Sequence, residues 1–314
     1  MKIFNNLSSV SGQLHAPVLT IGNFDGVHKG HLVLFDKVKE RAKAIGGQSV
    51  VMTFDPHPIK ILKPGNGPPL ITPTEQKKRL IEAAHIDALI CLPFSERFAA
   101  ITAEDFVTEI LVKAIGLREI VVGYDYRFGH KQRGNMDLLK AMGATYDFKV
   151  HEVGPIQIED LLVSSTSVRR FVQEGDLLKT KKLLGRNYQI SGTVVTGKNR
   201  GGTLLGFPTA NLEVFDELIP AGGVYAVTVY VDGKTYEGVT NIGYNPTFGE
   251  NPLSVETHLL DFNGDLLGKE IRVNFAQLLR KEKVFENVQA LSQQISEDIK
   301  KARECFDQRK TDPK

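Results

Sequence analysis

The densest run of chemically capable side chains is Gly22-Asn23-Phe24-Asp25-Gly26-Val27-His28-Lys29-Gly30-His31. Glycines at 22, 26 and 30 let backbone amides approach an anion closely, because a residue without Cβ leaves room for a ligand. His28 and His31 are three residues apart, which brings both rings to one side of a helix start. The combination suits a nucleoside triphosphate. The plain alternative is a glycine-rich turn with two surface histidines, and a metal centre is disfavoured because no third ligand stands nearby. A second cluster, Val163-Ser164-Ser165-Thr166-Ser167-Val168-Arg169, reads as a strand running into a helix. Hydroxyls at such a start are often ordinary caps. With Arg169 following, they also set donors and a cation where a leaving pyrophosphate would need them.

The second half carries a different set. Thr209 and Asn211 in Leu205-Gly206-Phe207-Pro208-Thr209-Ala210-Asn211-Leu212 are two apart, so in extended chain they point the same way and can share a Mg²⁺ ion. A turn with an ordinary Thr and Asn remains open. Glu256 falls inside an alternating run in which Val255, Thr257 and Leu259 share one face and Glu256, His258 and Leu260 the other. A carboxylate beside Leu260 is a candidate for partial burial, with an edge-strand charge as the alternative. Gly192 to Asn199 fits GxxxxGK but ends in Asn where a P-loop needs a magnesium-binding hydroxyl. Its TVVT interior also favours strand, so a P-loop is rejected.

The elements that must hold these residues differ between the halves. Residues 18–22, 49–54, 88–94, 119–124 and 146–153 read as strands, with amphipathic helices between them, the first marked by Leu34, Val38, Ala42 and Ile45. Further helical segments are predicted near 74–84, 104–115, 134–142 and 166–184. That alternation predicts a doubly wound, mainly parallel sheet. In such a sheet ligands collect at the carboxyl ends of strands, where Gly22 to His31 stands. From Tyr188 onward strands follow one another without helices, as in an antiparallel barrel or sandwich, with Asp232-Gly233 and Asn263-Gly264 as tight-hairpin dipeptides. Phe285, Val288, Leu291, Ile295, Ile299 and Ala302 then mark a C-terminal helix. The predicted domains are 1–184 and 185–314, divided near Gly185.

Gly22–His31, TFDPHP (53–58), VGYDYRFG (122–129) and SSTSVRR together resemble the FMN adenylyltransferase half of the bacterial bifunctional riboflavin kinase/FAD synthetase family. GFPTANL, GGVYAV (222–227), NIGYNPTFG (241–249) and VETHLLDF follow in the order of its riboflavin kinase half. The resemblance implies a Rossmann-like nucleotidyltransferase domain and a six-stranded antiparallel barrel with a terminal helix. It implies that His28 and His31 hold the ATP phosphates in the transition state, with Gly22, Phe24 and Gly30 around them. Ser165, Thr166 and Arg169 would hold the β- and γ-phosphates, and Asp125 and Phe128 would lie near the flavin. In the second half, Gly206 would contact ATP, Thr209 and Asn211 would bind Mg²⁺, Glu256 would be the general base, and Arg280 would belong to a flavin-side loop. His57 and Arg127 receive no fixed role. Tyr126 and Val163 depart mildly from the family pattern, and the loop from Gly197 to Gly206 is about one residue longer than it.

Composition sharpens what is excluded. The chain has 314 residues, 41% hydrophobic and 24% charged, with 39 Lys+Arg against 37 Asp+Glu, enough for two ordinary cores and without a charge block aimed at nucleic acid. An 8% aromatic fraction without Trp also argues against a nucleic-acid-binding barrel. Two distant cysteines, Cys91 and Cys305, favour a reducing, cytoplasmic setting, and no apolar run suggests a leader or membrane span. The expected partners are riboflavin, FMN and ATP, with no nucleic acid and no membrane; oligomeric state stays open, a weak homo-oligomer included. The remaining alternative is that only one of the two modules is active.

Overall fold

The computed structural model describes residues 1–196, 207–215, 217–244 and 253–311. Cα packing divides the chain into two units, Met1–Ser165 and Thr166–Lys314.

In the first unit six parallel strands run in the order β1-β4-β3-β2-β5-β6. They are β1 (Lys2–Phe4), β2 (Val18–Ile21), β3 (Ser49–Phe54), β4 (Ala88–Leu92), β5 (Glu119–Gly123) and β6 (Lys149–Val153). Every residue of β2, β3 and β4 is buried, as strands covered on both faces require. Helices α1 (Lys29–Ala44), α3 (Thr74–Ala83) and α6 (Met136–Tyr146) and the short turns α2 (Pro58–Leu62), α4 (Glu96–Ala99) and α5 (Ala103–Asp105) fill the crossovers. α5 leads into a wider π-type helix, Phe106–Ile115, whose Phe106, Val107, Ile110 and Leu111 enter the core. Chain order reverses between β2 and β5, which makes that pair the topological switch point where such sheets bind ligands.

At the opposite end, Glu119 accepts both Nε (2.8 Å) and Nη2 (3.0 Å) of Arg41 and meets His151 Nε2 at 2.7 Å. The bonded Arg41 holds the Glu119 carboxyl below its usual range. This pins α1 to β5 and β6 away from the switch point.

The doubly wound parallel sheet agrees with the sequence pattern, with local corrections. Residues 146–148 are not strand: α6 runs to Tyr146, Asp147 turns the chain at φ 57°, and β6 begins at Lys149. β1 was too short for a period to register. A two-stranded hairpin, β7 (Gln157–Ile158) with β8 (Leu161–Leu162), closes the unit and was likewise unread.

The second unit begins with α7 (Ser165–Glu174, from Thr166) and α8 (Leu177–Leu184). Its strands are β9 (Tyr188–Val195), β10 (Ala210–Glu213), β11 (Gly223–Val231), β12 (Lys234–Tyr244), β13 (Leu253–Leu259) and β14 (Glu270–Arg280). They close a barrel in the order β10-β13-β12-β11-β14-β9, so the barrel alternative holds over the sandwich. Tyr225, Val227, Val229, Ile271, Val273 and Phe275 are buried in it. α9 (Val288–Thr311) covers Val224, Ala226, Val239 and Ala276 from outside with Ala302, Cys305 and Phe306.

Asp232-Gly233 does form the β11–β12 turn, both residues with left-handed φ (49° and 78°). Asn263-Gly264 does not form a hairpin, because β13 pairs with β12 and β10 while β14 pairs with β11 and β9. The terminal helix starts at Val288 rather than Phe285, since Asn287 Oδ1 accepts from the Ala290 amide at 2.8 Å and caps it.

The helices before Gly185 pack with the second unit. α8 buries Leu177, Leu183 and Leu184 and packs on β9 and β14 before ending at Gly185 in the left-handed region (φ 75°). The Ala221 amide also donates to the Val172 carbonyl of α7. Each buried leucine is worth about 1.5–3 kcal/mol against a total domain stability of about 5–15 kcal/mol. A fragment of residues 166–314 is therefore expected to melt cooperatively and well above a fragment of residues 185–314; equal Tm values by calorimetry would show that α7 and α8 contribute nothing to the barrel.

Candidate active sites

The first site grows from the turn between β2 and α1. His28 caps α1: its Nδ1 accepts from the His31 amide at 3.3 Å, and His31 Nδ1 accepts from the His28 amide at 3.4 Å. Both Nδ1 atoms are thus acceptors, so the proton of each neutral ring resides on Nε2. The rings stack with centroids 3.5 Å apart. Phe24, 2% exposed, supports the pair, its ring meeting His31 edge-on at 5.2 Å. A Cβ on Gly30 would lie 3.1 Å from the His28 ring, so glycine there lets the imidazole lie flat on the helix start.

These residues line a cavity of about 290 Å³ at the carboxyl ends of β2, β5 and β6. Gly22, Phe24, His28, Gly30, His31, Asp125 and Ser165 are all on its wall. The opposite wall is apolar and aromatic, formed by Tyr124, Tyr126, Pro155, Ile156, Leu162 and Val163. The sequence reading did not assign that wall although VGYDYRFG was singled out; Tyr124 and Tyr126 flank Asp125 just past the end of β5, and all three face the cavity. Phe128 is 6% exposed, does not line the cavity, and packs in the core against Phe106 (5.7 Å) and Tyr126 (5.5 Å). Thr166, exposed, and Arg169, half-buried, lie on α7 beyond the division of the units. His57 caps α2 by accepting from the Ile59 amide at 3.1 Å, and Arg127 is exposed; neither lines the cavity.

The second site lies on the barrel. In register, Glu256 of β13 stands opposite Asn211 of β10 on one side and Asn241 of β12 on the other. Asn241 in turn pairs with Val224, which α9 covers, so this row faces outward while Val255, Thr257 and Leu259 fill the buried face. The predicted alternation therefore holds through Leu259; Leu260 lies past the strand end and is buried. Glu256 is half-buried, and burial pushes its carboxyl above the usual range. Asn241, unassigned in the sequence reading, is exposed by position at the neighbouring strand. Only the cross-strand register exposes that relation.

Thr209 stands just before β10, half-buried, two residues from Asn211. A hydroxyl and an amide oxygen are hard donors that fit Mg²⁺, an ion that keeps part of its shell for water and phosphate. Gly206, the loop from Gly197 and the motif beyond Tyr244 lie outside the described residues. Arg280 ends β14 with its Nε donating to Asp298 Oδ2 at 2.9 Å and Oδ1 at 3.1 Å; Asp298 is 2% exposed on α9. Its guanidinium thus ties the strand to the helix and sits 5.4 Å from the Phe285 ring.

Comparison with known proteins matches both parts of the chain. A FAD synthetase family model covers residues 11–167 and a riboflavin kinase model covers residues 184–306. The chain belongs to the bifunctional riboflavin kinase/FMN adenylyltransferase family. A relative of that name from Escherichia coli K12 is 37% identical over 311 residues, 98% of either chain. Another, from Buchnera aphidicola of Acyrthosiphon pisum, is 35% identical over 302 residues, 95% of this chain and 96% of its own. A crystal structure from Streptococcus pneumoniae described as a macrolide-efflux protein shares the fold, with a TM-score of 0.85 at 31% identity over 96% of this chain and 98% of that one. Among the described residues no helix is long and apolar enough to cross a membrane.

Proposed function

We propose that this chain phosphorylates riboflavin to FMN with ATP at the barrel and transfers an adenylyl group from a second ATP to FMN, giving FAD and pyrophosphate, at the first cavity. The observation that carries this reading is that one chain holds both a donor-lined cavity at a parallel-sheet switch point and, in a separate unit, a half-buried carboxylate whose basicity burial raises.

In adenylyl transfer a phosphate oxygen of FMN attacks the α-phosphorus of ATP, and the bond to the β-phosphate breaks. The nucleophile is already anionic, so positioning and charge neutralisation do most of the work. His28 and His31 donate from Nε2 to the phosphates as charge shifts toward the leaving group, with Gly22 and Gly30 leaving room for it. Ser165, Thr166 and Arg169 hold the β- and γ-phosphates. Asp125 faces the flavin, and the Tyr124 and Tyr126 wall receives its rings; Phe128 supports that wall from the core. Phe24 keeps His31 upright.

Riboflavin presents a neutral alcohol, which needs a base. Glu256 removes the 5′-hydroxyl proton as that oxygen attacks the γ-phosphorus of ATP, the bond from that phosphorus to the bridging oxygen breaks, and ADP leaves. Thr209 and Asn211 would hold Mg²⁺, which when bound neutralises phosphate charge. Arg280 belongs to the flavin side of this site. The two functional parts divide between residues 166 and 185, in the cytoplasm, where the two buried, free cysteines Cys91 and Cys305 stay reduced.

Incubating the protein with riboflavin and Mg-ATP and separating the flavins by chromatography tests the reading. FMN is expected first and FAD after it; FMN without FAD, also when FMN is supplied directly, would remove the adenylyl assignment.

A further inference from the structure

The turn that presents His28 is held in an unfavourable backbone shape. Phe24, Gly26 and Val27 all have left-handed φ, at 47°, 90° and 37°. Non-glycine residues persist there only when surrounding contacts over-determine them. Among those contacts are ones from Ile71, Thr72 and Lys77, none of which lines the cavity.

Asp25 is 3% exposed, and its Oδ1 accepts from the amides of Ile71 and Thr72, each at 3.0 Å, with Oδ2 3.2 Å from the Ile71 amide. Thr72, also 3% exposed, returns the grip: its Oγ1 accepts from the Gly26 amide at 3.0 Å and lies 3.4 Å from Asp25 Oδ1. Lys77 Nζ, 4% exposed, donates to the carbonyls of Asn23 and Phe54, both at 3.2 Å. On the cavity side, Ser165 Oγ donates to the Asp25 carbonyl at 2.9 Å. The backbone of residues 23–26 is therefore clamped between a buried polar brace and the hydroxyl of a cavity-wall residue. Gly26 is two residues from His28, whose own amide is fixed by His31.

We propose that Thr72 is a positioning residue for adenylyl transfer, its hydroxyl fixing the Gly26 amide and through it the placement of His28 and Ser165 around the transferring phosphate. The inference rests on the adenylyl-transfer reading of this cavity. Thr72 touches no substrate; it acts by holding the donors where charge develops. A misplacement of reacting groups by about 1 Å can cost about 10²-fold in rate, so a loosened turn should affect turnover more than ground-state binding.

The test uses the full chain and three variants, Thr72→Val, Thr72→Ser and His31→Ala, assayed with FMN and varied Mg-ATP. Thr72→Val keeps shape and removes the acceptor. It is expected to lower adenylyl-transfer kcat by about 10- to 100-fold while KM for ATP moves much less, with riboflavin phosphorylation unchanged. Thr72→Ser restores the hydroxyl and is expected to restore kcat. Wild-type kcat in Thr72→Val, a rise in KM alone, or a Thr72→Ser enzyme as slow as Thr72→Val would overturn the proposal.

If Thr72→Val loses its cooperative thermal transition, Thr72→Ala carries the test. It also removes the acceptor of the Gly26 amide, and the same fall in kcat is expected; wild-type kcat overturns the proposal. His31→Ala separates the two layers: normal adenylyl transfer in that variant removes the reading of the cavity and the proposal with it, whereas a slow His31→Ala enzyme beside a fast Thr72→Val enzyme overturns the positioning role alone.

Discussion

Riboflavin phosphorylation in Glu256→Gln is expected to fall by about 10²–10⁴, the usual contribution of a positioned general base. Glutamine keeps the size and hydrogen-bonding capacity of the side chain and removes only its basicity. Riboflavin and ATP binding should stay close to wild type, because the lost interaction develops chiefly in the transition state. FMN supplied directly should still become FAD at the normal rate. The pH profile gives an independent reading. Burial raises the Glu256 carboxyl above its usual range, and the base acts only when ionised. Kinase turnover should therefore fall as pH drops through that raised value, at a higher pH than an exposed carboxylate would give, and this acid limb should vanish in Glu256→Gln. Single-turnover measurements, in which chemistry and not product release is observed, check both; wild-type turnover would falsify the base assignment.

The second large effect belongs to the other unit. His31→Ala removes one Nε2 donor and also the Nδ1 acceptor that caps the His28 amide, so adenylyl transfer should fall by at least the 10²–10³ seen when one preorganised donor is lost. Loss of the cap adds instability to the start of α1, typically about 1 kcal/mol for a lost helix cap. A small decrease in Tm with intact kinase turnover is thus the expected pattern. An equal fall in both activities would point to unfolding of the chain and not to a lost donor.

His31 and Glu256 are conspicuous in the sequence for a physical reason. His28, His31 and the glycines around them sit within ten consecutive residues, so their proximity needs no knowledge of tertiary structure. Glu256 was legible because a strand alternates strictly, and one apolar-polar run fixes which side each residue takes. What failed to register depends on long-range pairing. Asn241 stands beside Glu256 only through the register of β12 with β13. Asn263-Gly264 has the composition of a hairpin turn, yet its flanking strands find other neighbours in the barrel. Phe128 belongs to the core through its ring contacts with Phe106, 22 positions away, and Tyr126. Thr72 and Asp25 meet across 47 positions of sequence, and nothing local marks threonine in an LITPT segment as a partner of the turn that carries His28.

The segment before Gly185 shows how packing and secondary structure can divide a chain differently. Gly185 is a clear helix stop, and composition changes there, so a division at that point is the natural reading of the sequence. The leucines of α8 nonetheless close against β9 and β14. A change from helix to strand marks where secondary structure changes, whereas a unit ends where packing ends.

The central claim is that two chemically distinct reactions occupy two independent sites of one chain. Mixing equal amounts of purified His31→Ala and Glu256→Gln proteins with riboflavin and Mg-ATP tests it most directly. Neither variant alone should make FAD at an appreciable rate, the first stopping at FMN and the second leaving riboflavin unphosphorylated. In the mixture, FMN released by one protein is adenylylated by the other, and FAD should accumulate far faster than the sum of the two separate reactions; a mixture that makes no more FAD than that sum, with FMN present in solution, would contradict the account.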